Sequence, residues 1–187
     1  MLLHSAVAQG LVKRIRGVAY CTRMSPQTAN RMVQSARGIL NSFIPDVYIY
    51  TDHYRGAESG SSPGFACALV AESTEGGILH AAEAAGGAGA LPEDVGELAA
   101  ARLCEEVSRG GCFDAATQPL VFMLMALGPE DVSRVRVGSL TPYSVRYLQH
   151  LRDFFGITFK LKADPATKTV LASCLGLGYK NLAKKVT

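Results

Sequence analysis

The sequence predicts an α+β protein built from two units that follow each other along the chain. Segments with the alternating pattern of strands and segments with the three- and four-residue spacing of helices succeed one another from residue 12 to residue 175. A glycine pair at residues 110–111 interrupts the series, which then begins again. The predicted order is β-α-β-β-β-α before this pair and α-β-α-β-β after it, and 48% hydrophobic residues suffice for a core in each unit.

The first unit opens with a strand and a helix. Residues 12–22 alternate around Gly17, which predicts a strand with a bulge at that glycine. Ser25 supplies an N-cap oxygen, and Pro26 fills the first helical position. The buried face of the helix is predicted to comprise Ala29, Met32, Val33, Ala36, Leu40 and Phe43, and its outward face Gln27, Asn30, Arg31, Gln34, Arg37 and Asn41.

Three more strands follow this helix. Residues 47–51 predict a short strand, and residues 52–63 a polar loop. Residues 65–73 and 78–82 flank the turn Glu75-Gly76-Gly77 and predict a hairpin. The glycine and alanine tract at residues 84–90 predicts a loop.

The second helix of this unit begins at Pro92. Glu93 and Asp94 lie in its first turn, where they complement the helix dipole, and the glycine pair ends it. Its predicted buried stripe comprises Val95, Leu98, Ala99, Leu103 and Val107.

The second unit is predicted to contain two helices and three strands. Residues 117–127 are apolar almost all round, which predicts a core helix closed by Gly128. Residues 134–138 predict a strand, and residues 157–161 and 168–175 a strand pair whose turn contains Asp164-Pro165. Between them, a helix is expected to be capped by Thr141, opened by Pro142 and ended by Gly156, with Val145, Leu148, Leu151 and Phe155 inward.

Positive charge is concentrated at the start of the chain. The first 45 residues contain six Lys and Arg and no acid, whereas the whole chain has a net charge of +3. Such a field attracts polyanions or acidic proteins, so RNA contact, an acidic protein partner and plain solvated charge all stay open. Tyr20 is a candidate stacking group, although the absence of Trp and the 7% aromatic content weigh against a base-stacking platform. The basic residues are Lys13, Arg14, Arg16, Arg23, Arg31 and Arg37.

The other chemistry-bearing residues predict neither a metal nor a cofactor. Five cysteines contain no CxxC pair, which predicts reduced and mostly buried thiols. Asp52, His53 and Glu58 lack a second histidine at ligand spacing. The longest apolar run, residues 120–127, is far too short to cross a bilayer, so no membrane partner is expected, and residues 1–10 do not match a secretory signal.

A series of short motifs, in order from about residue 11 to the end, resembles the RNA 3′-terminal phosphate cyclase superfamily, and within it the cyclase-like branch of eukaryotic ribosome assembly. The motifs are Lys13-Arg14-Ile15-Arg16-Gly17-Val18-Ala19-Tyr20, Ser25-Pro26, Asn30-Arg31, Phe43-Ile44-Pro45-Asp46, Tyr48-Ile49-Tyr50-Thr51-Asp52-His53, Ser62-Pro63-Gly64-Phe65, Leu69-Val70-Ala71-Glu72, Leu91-Pro92-Glu93-Asp94, Arg109-Gly110-Gly111-Cys112, Leu140-Thr141-Pro142-Tyr143, Gly176-Leu177-Gly178-Tyr179 and Asn181-Leu182. They are individually weak and jointly specific.

The resemblance implies a fold in which a small α+β domain is inserted into the third β-α-β-α-β-β repeat of a larger domain. Residues 11–111 would be the inserted β-α-β-β-β-α domain. Residues 112–187 would be the C-terminal part of the large domain, an incomplete repeat that lacks its first strand. The chain would then be the C-terminal half of a longer protein, and residues 1–10, which match no motif, an artefact of truncation.

The resemblance also implies a function without cyclisation. Tyr143 stands where cyclases carry the histidine that takes AMP from ATP, and Thr117 stands where they carry an acid before Gln118. The implied protein is a subunit of the nucleolar small-subunit processome in the nucleus. It would bind a large GTPase, possess no catalytic residue or cofactor, and support maturation of small-subunit rRNA, with pre-rRNA as a candidate ligand.

An RNA-processing enzyme is the alternative. Gln149, His150 and Arg152 form a polar stretch on a predicted helix, as a pre-rRNA endonuclease requires near a scissile phosphate. No paired carboxylates indicate a metal-dependent cut. An RNA 3′-phosphate cyclase is the weaker form of this alternative, because Tyr143 replaces the nucleophile.

Overall fold

The structure is a computed structural model in which residues 5–8, 10–75, 79–87 and 89–180 are described. It divides into a first unit, Gly10–Ser108, and a second unit, Met1–Gln9 with Arg109–Thr187. None of the helices in the described ranges has the length and apolar character needed to cross a bilayer. The predicted residues 76–78 of the hairpin and the motif Asn181-Leu182 lie outside the described residues.

The elements confirm the predicted α+β class, with one strand added at the start. In chain order they are β1 (Ser5–Ala6), β2 (Val12–Thr22), α1 (Pro26–Leu40), β3 (Val47–Tyr54), a short 3₁₀ helix (Gly56–Ser59), β4 (Gly64–Ser73), β5 (Leu79–Ala85), α2 (Pro92–Arg109), α3 (Gln118–Leu127), β6 (Val132–Val137), α4 (Pro142–Phe155), β7 (Lys160–Asp164) and β8 (Thr169–Leu175).

The first unit is a four-stranded sheet of order β3-β2-β4-β5 with α1 and α2 sharing its core. Strand β2 pairs in parallel with β3 and antiparallel with β4, and β4 pairs antiparallel with β5. Alternate residues of β2, such as Ile15 and Ala19, are buried in that core. Because successive side chains of a strand point to opposite faces, the intervening residues of β2 lie on the face away from the helices.

The predicted bulge at Gly17 is wrong. The irregularity in the pairing of β2 with β4 lies between Val12 and Arg14, and Gly17 stays in register opposite Leu69. A Cβ at Gly17 would lie 2.6 Å from the Ala68 carbonyl oxygen and 2.6 Å from Leu69 Cδ2. The glycine therefore permits close packing against β4 rather than an extra residue in the strand.

Two strands of the first unit are longer than predicted. Strand β3 continues to Tyr54, where a loop had been expected from residue 52. Strand β5 continues to Ala85, because the backbone hydrogen bonds of the ladder do not require large side chains. The glycine and alanine tract therefore becomes a loop only at Gly86.

The caps of α1 and most of its two faces are confirmed. Ser25 Oγ accepts a hydrogen bond from the Gln27 backbone N–H at 3.3 Å, and Pro26 is the first helical residue. Phe43 is 74% exposed, contrary to prediction, because α1 ends at Leu40 and the chain leaves the helical periodicity. The predicted burial of Leu98 in α2 is also wrong, because Leu98 is exposed. The buried face of α2 comprises Val95, Gly96, Ala99, Ala100 and Leu103.

The second unit has a four-stranded sheet of order β1-β6-β8-β7. Strand β1 pairs in parallel with β6, with Ser5 opposite Arg134. Arg136 Nε donates to the Val7 carbonyl oxygen at 3.2 Å, which ties the segment further to the sheet. Residues 5–8 are therefore part of this unit, and they supply a short strand that the sequence did not predict.

The helices of the second unit bury less than predicted. In α3 one side is buried, whereas Leu120 and Leu124 are about half exposed, so the all-round core helix is wrong. The caps of α4 are as predicted: Thr141 Oγ1 accepts from the Ser144 backbone N–H at 3.0 Å, and Gly156 adopts a left-handed φ of 69°. Of the four inward residues only Leu151 is fully buried; Val145 and Phe155 are exposed.

The strands of the second unit are shifted from the predicted bounds. Strand β6 begins at Val132, two residues early, and β7 begins at Lys160 rather than at residue 157, because Ile157 packs into the core before the strand starts. The turn between β7 and β8 contains Pro165, as predicted.

All five cysteines are free, and all but Cys104 are buried, which confirms the predicted thiols. Desolvation raises the pKa of Cys67 and of Cys174 to about 11, so both thiols stay protonated at neutral pH.

Candidate nucleic-acid interface

The six basic residues singled out in the sequence do not form one patch. Arg14, Arg16 and Arg31 each pair with an acid that lies later in the chain, namely Glu72, Asp46 and Glu93. These pairs neutralise half of the charge that the first 45 residues carry on paper. The sequence could not show this, because the acids are 30 to 62 residues away along the chain.

Two of these ion pairs have bidentate geometry. Arg16 donates to both carboxylate oxygens of Asp46 at 2.8 and 3.1 Å, and Arg31 contacts both oxygens of Glu93 at 2.5 and 2.7 Å. The hydrogen bonds from the guanidinium groups lower the pKa of Asp46 and of Glu93. Both acids therefore stay ionised well into the acidic range, although exposed pairs of this kind add little stability.

Lys13, Arg23 and Arg37 form no ion pair within the described ranges and remain available to an anionic partner. Lys13 and Arg23 flank β2 at opposite ends, roughly 33 Å apart for ten residues of extended chain. Arg37 lies in the last turn of α1 on its exposed side. These three cations thus border the first unit at separate places.

Arg23 has a left-handed backbone with φ of 54°. Its N–H donates to the Tyr54 carbonyl oxygen at 3.1 Å, and its Nε donates to the Gly60 carbonyl oxygen at 2.7 Å. Arg55 lies beside it, and the two arginines line a shallow cleft with Ser25. A non-glycine residue held in this conformation places a guanidinium group at the end of the sheet.

The backbone at Arg23 supports a stability prediction. Arg23→Ala and Arg23→Gly both remove the guanidinium group, but only glycine adopts this φ without strain. We expect the glycine variant to be more stable than the alanine variant by about 1 kcal/mol in urea unfolding. Equal stability of the two variants would show that the left-handed backbone relaxes.

The open face of the first sheet carries four tyrosines that are scattered along the sequence. Tyr20, Tyr48, Tyr50 and Tyr54 are 39%, 55%, 59% and 37% exposed, on the adjacent strands β2 and β3. The signal was present in residues 47–50, where buried Val47 and Ile49 alternate with the tyrosines. The sequence suggested stacking only for Tyr20. The aromatic content of 7% is an average over the whole chain, so it does not report that four tyrosines lie together on two strands.

The register places these rings among Arg16, Val18 and Thr22. Arg16 lies opposite Tyr48, Val18 opposite Tyr50, and Thr22 opposite Tyr54, so all share the face away from the helices. The rings of Tyr48 and Tyr50 meet edge to face with centroids 4.5 Å apart. We call Tyr20, Tyr48, Tyr50 and Tyr54 the tyrosine face.

Tyr143, which the resemblance matched with the cyclase histidine, lies exposed in the first turn of α4. Its ring centroid is 6.1 Å from that of Tyr147. The neighbouring Ser144 is fully buried and donates through its hydroxyl to Gln118 Oε1 at 2.9 Å. The residues beside Tyr143 therefore form a closed polar contact between α3 and α4.

Gln149, His150 and Arg152 are exposed on α4 but do not converge. Consecutive residues of a helix point about 100° apart, so His150 faces away from the side shared by the other two. Arg152 contacts Asp153 at 3.0 Å, and the His150 ring lies 6.5 Å from that of Phe154. The three side chains therefore do not converge on one point of the helix surface.

Asp52, considered above as a metal ligand, lies on β3 and is engaged in other contacts. Asp52 accepts hydrogen bonds from the His53 backbone N–H at 2.9 Å and from the Tyr54 hydroxyl at 2.5 Å. Across the described part of the chain, no three His, Cys, Asp or Glu side chains come together as a metal-binding group.

Comparison with known proteins gives relatives along nearly the whole chain. The chain is 51% identical to the RNA 3′-terminal phosphate cyclase-like protein of Mus musculus over 185 residues, 94% of the chain and 50% of that protein. It is 47% identical to the probable cyclase-like protein of Dictyostelium discoideum over 193 residues, 95% of the chain and 52% of that protein. It is 48% identical to the rRNA processing protein rcl1 of Schizosaccharomyces pombe over 179 residues, 95% of the chain and 49% of that protein.

The chain spans about half the length of the curated relatives it matches. The model of the RNA 3′-terminal phosphate cyclase insert domain matches residues 7–108, which include every element of the sheet that carries the tyrosine face. Since this match covers more than half of the chain, the chain belongs to the RNA 3′-terminal phosphate cyclase family.

Proposed function

We propose that the protein is a non-cyclase assembly factor that acts in the processing of ribosomal RNA. The observation that carries the proposal is the 48% identity, over 95% of the chain, to the rRNA processing protein of Schizosaccharomyces pombe. In its finer form, the proposal places the protein in the small-subunit processome of the nucleolus, bound to a large GTPase and in contact with pre-rRNA.

The residue at the position of the cyclase nucleophile supports a role without cyclisation. Nucleotidyl transfer through histidine uses a ring nitrogen that is a good nucleophile at neutral pH, whereas a phenol is protonated there. Tyr143 is exposed, and the adjacent Ser144 and Gln118 satisfy each other's hydrogen bonds. Cutting of pre-rRNA is not part of the proposal, because Gln149, His150 and Arg152 do not converge on one point.

Depletion of the full-length protein tests the proposed function. In cells that contain it, we expect precursors of the small-subunit rRNA to accumulate and mature small-subunit rRNA to fall, while large-subunit rRNA is maintained. Northern hybridisation against both precursors measures this. Unchanged processing of the small-subunit precursor would contradict the proposal.

The unpaired cations provide the partner test. We expect the full-length Lys13→Glu/Arg37→Glu variant to recover less of the GTPase and of the processome proteins in co-purification, because reversed charges repel an anionic surface. Lys160→Glu/Lys162→Glu, at exposed lysines of β7, is the matched control with the same change of charge. Equal recovery by both double variants would remove Lys13 and Arg37 from the partner surface.

A further inference from the structure

We propose that the tyrosine face binds single-stranded RNA by stacking of bases on its rings. The inference rests on the proposed role in rRNA processing and adds the surface and the form of RNA that it takes. It is carried by two observations, the exposure of four rings on one side of β2 and β3 and the presence of Arg23 and Arg55, which form no ion pair in the described ranges, where these strands end.

The rings are arranged so that unpaired bases can reach them. Tyr48 and Tyr54 are six residues apart on β3, a distance of about 20 Å along the strand, with Tyr50 between them. Tyr20 lies on β2 opposite Asp52. Stacking on exposed aromatic rings suits single strands, because the bases of a duplex already stack on each other.

Part of the surface beside the rings is apolar, which lets bases approach closely there. Val18, Ala68 and Val70 share this side of the sheet, and all three are half-buried. Val18 lies opposite Tyr50, whereas Arg16 lies opposite Tyr48 and Asp52 opposite Tyr20, so both apolar and charged side chains border the rings. A flat base can therefore cover a ring and the apolar surface next to it.

Two side-chain contacts hold the rings in place before RNA binds. The Tyr54 hydroxyl donates to Asp52 Oδ2, and this hydrogen bond raises the pKa of the phenol. Tyr48 and Tyr50 support each other edge to face. Rings that are already ordered lose less conformational entropy on binding, which favours affinity.

The free cations of the same segment are complementary to RNA. Arg14 and Arg16 are paired with Glu72 and Asp46, and Arg31 and Arg37 lie on α1, so the positive charge available to this side of the sheet comes from Lys13, Arg23 and Arg55. Arg23 and Arg55 lie where β2 and β3 end, and Lys13 lies where β2 begins, so phosphates can meet cations at both ends of the face. Glu83 lies on β5, which places the favourable path over β2 and β3.

An acidic protein is the less suitable occupant. Carboxylates of a protein partner could meet the free cations as phosphates do, but they would leave the tyrosine rings without a matched group. RNA offers phosphates to the free cations and bases to the rings together.

The test is titration of the purified chain into a labelled, unpaired oligoribonucleotide of roughly 12 nucleotides, followed by fluorescence anisotropy. We expect Tyr20→Ala and Tyr50→Ala each to raise Kd about tenfold, because stacking on one ring is lost. Tyr50→Phe keeps the ring and should change Kd by less than about twofold. Tyr179→Ala, at an exposed tyrosine outside this face, is the matched control.

Two further measurements keep the proposal falsifiable. Circular dichroism verifies that each variant is folded, and a duplex of the same sequence should bind more weakly than the single strand. Unchanged Kd in both tyrosine-to-alanine variants, or equal binding of duplex and single strand, would overturn the proposal. Unchanged RNA binding together with loss of a co-purifying protein from the full-length Tyr50→Ala variant would assign the face to a protein and also overturn it.

Failure of this inference and failure of the proposed function are distinguishable. If RNA binding depends on Tyr20 and Tyr50 but rRNA processing stays normal after depletion, the RNA-binding role of the tyrosine face is supported and the proposed role in rRNA processing is contradicted. Defective processing after depletion, with RNA binding that ignores both tyrosines, does the reverse.

Discussion

Gly96→Ala is expected to lower the free energy of unfolding by about 2 kcal/mol, although alanine is the better helix former. A Cβ at Gly96 would lie 2.3 Å from both the Met32 carbonyl oxygen and Ser35 Oγ. Ser35 Oγ also donates to the Glu93 carbonyl oxygen at 2.9 Å, so the contact is fixed by a hydrogen bond between α1 and α2. Alanine at position 96 would force α1 and α2 apart, because the Met32 carbonyl oxygen belongs to the backbone and cannot turn away as a side chain can.

Gly38→Ala is the matched control for this prediction. Gly38 lies in α1, and a Cβ there would meet no atom of another element within 4 Å, so alanine should raise the free energy of unfolding by about 1 kcal/mol. Urea unfolding followed by circular dichroism measures both variants. Effects of the same sign would mean that α1 and α2 do not approach as closely as the structure shows.

Local signals in the sequence were sufficient where neighbouring residues decide the structure. Ser25-Pro26 and Thr141-Pro142 began helices as predicted, because a cap depends on three or four adjacent residues. The prediction at Gly17 is wrong because glycine is needed there for close packing against β4, some fifty residues away along the chain. No pattern among neighbouring residues indicates such a contact.

The candidate site was only partly predictable for the same reason. The basic residues are visible in the sequence, but the partners of Arg14, Arg16 and Arg31 come from other elements, and pairing changes what each can bind. The tyrosine face depends on the register of β2 with β3, which joins residues 30 or more positions apart. Alternation could have indicated Tyr48 and Tyr50, but not their neighbour Tyr20.

Gln118→Glu is expected to destabilise the second unit by about 3 kcal/mol at about pH 7. Gln118 is 1% exposed; it accepts from the Ser144 hydroxyl, and its Nε2 donates to the Ser139 carbonyl oxygen at 3.4 Å. A carboxylate at this position would be desolvated and would keep the hydrogen bond from the Ser144 hydroxyl. It has no N–H to donate, so the Ser139 carbonyl oxygen would lose its donor and face a negative charge. Burial would raise the pKa of the introduced carboxyl above its ordinary value.

The sign of the pH dependence follows from that shift. The introduced carboxyl has a higher pKa in the folded state than in the unfolded state. Between these two pKa values, the free energy of unfolding falls by about 1.4 kcal/mol for each unit that the pH rises. The variant should therefore approach the parent in urea unfolding at about pH 4 and fall furthest below it at about pH 7. Gln149→Glu, the same change at an exposed position of α4, should remain within about 0.5 kcal/mol of the parent at both pH values. A pH-independent loss in the buried variant would show that the carboxyl reaches water, and that the Gln118–Ser144 contact is not the closed polar core seen beside Tyr143.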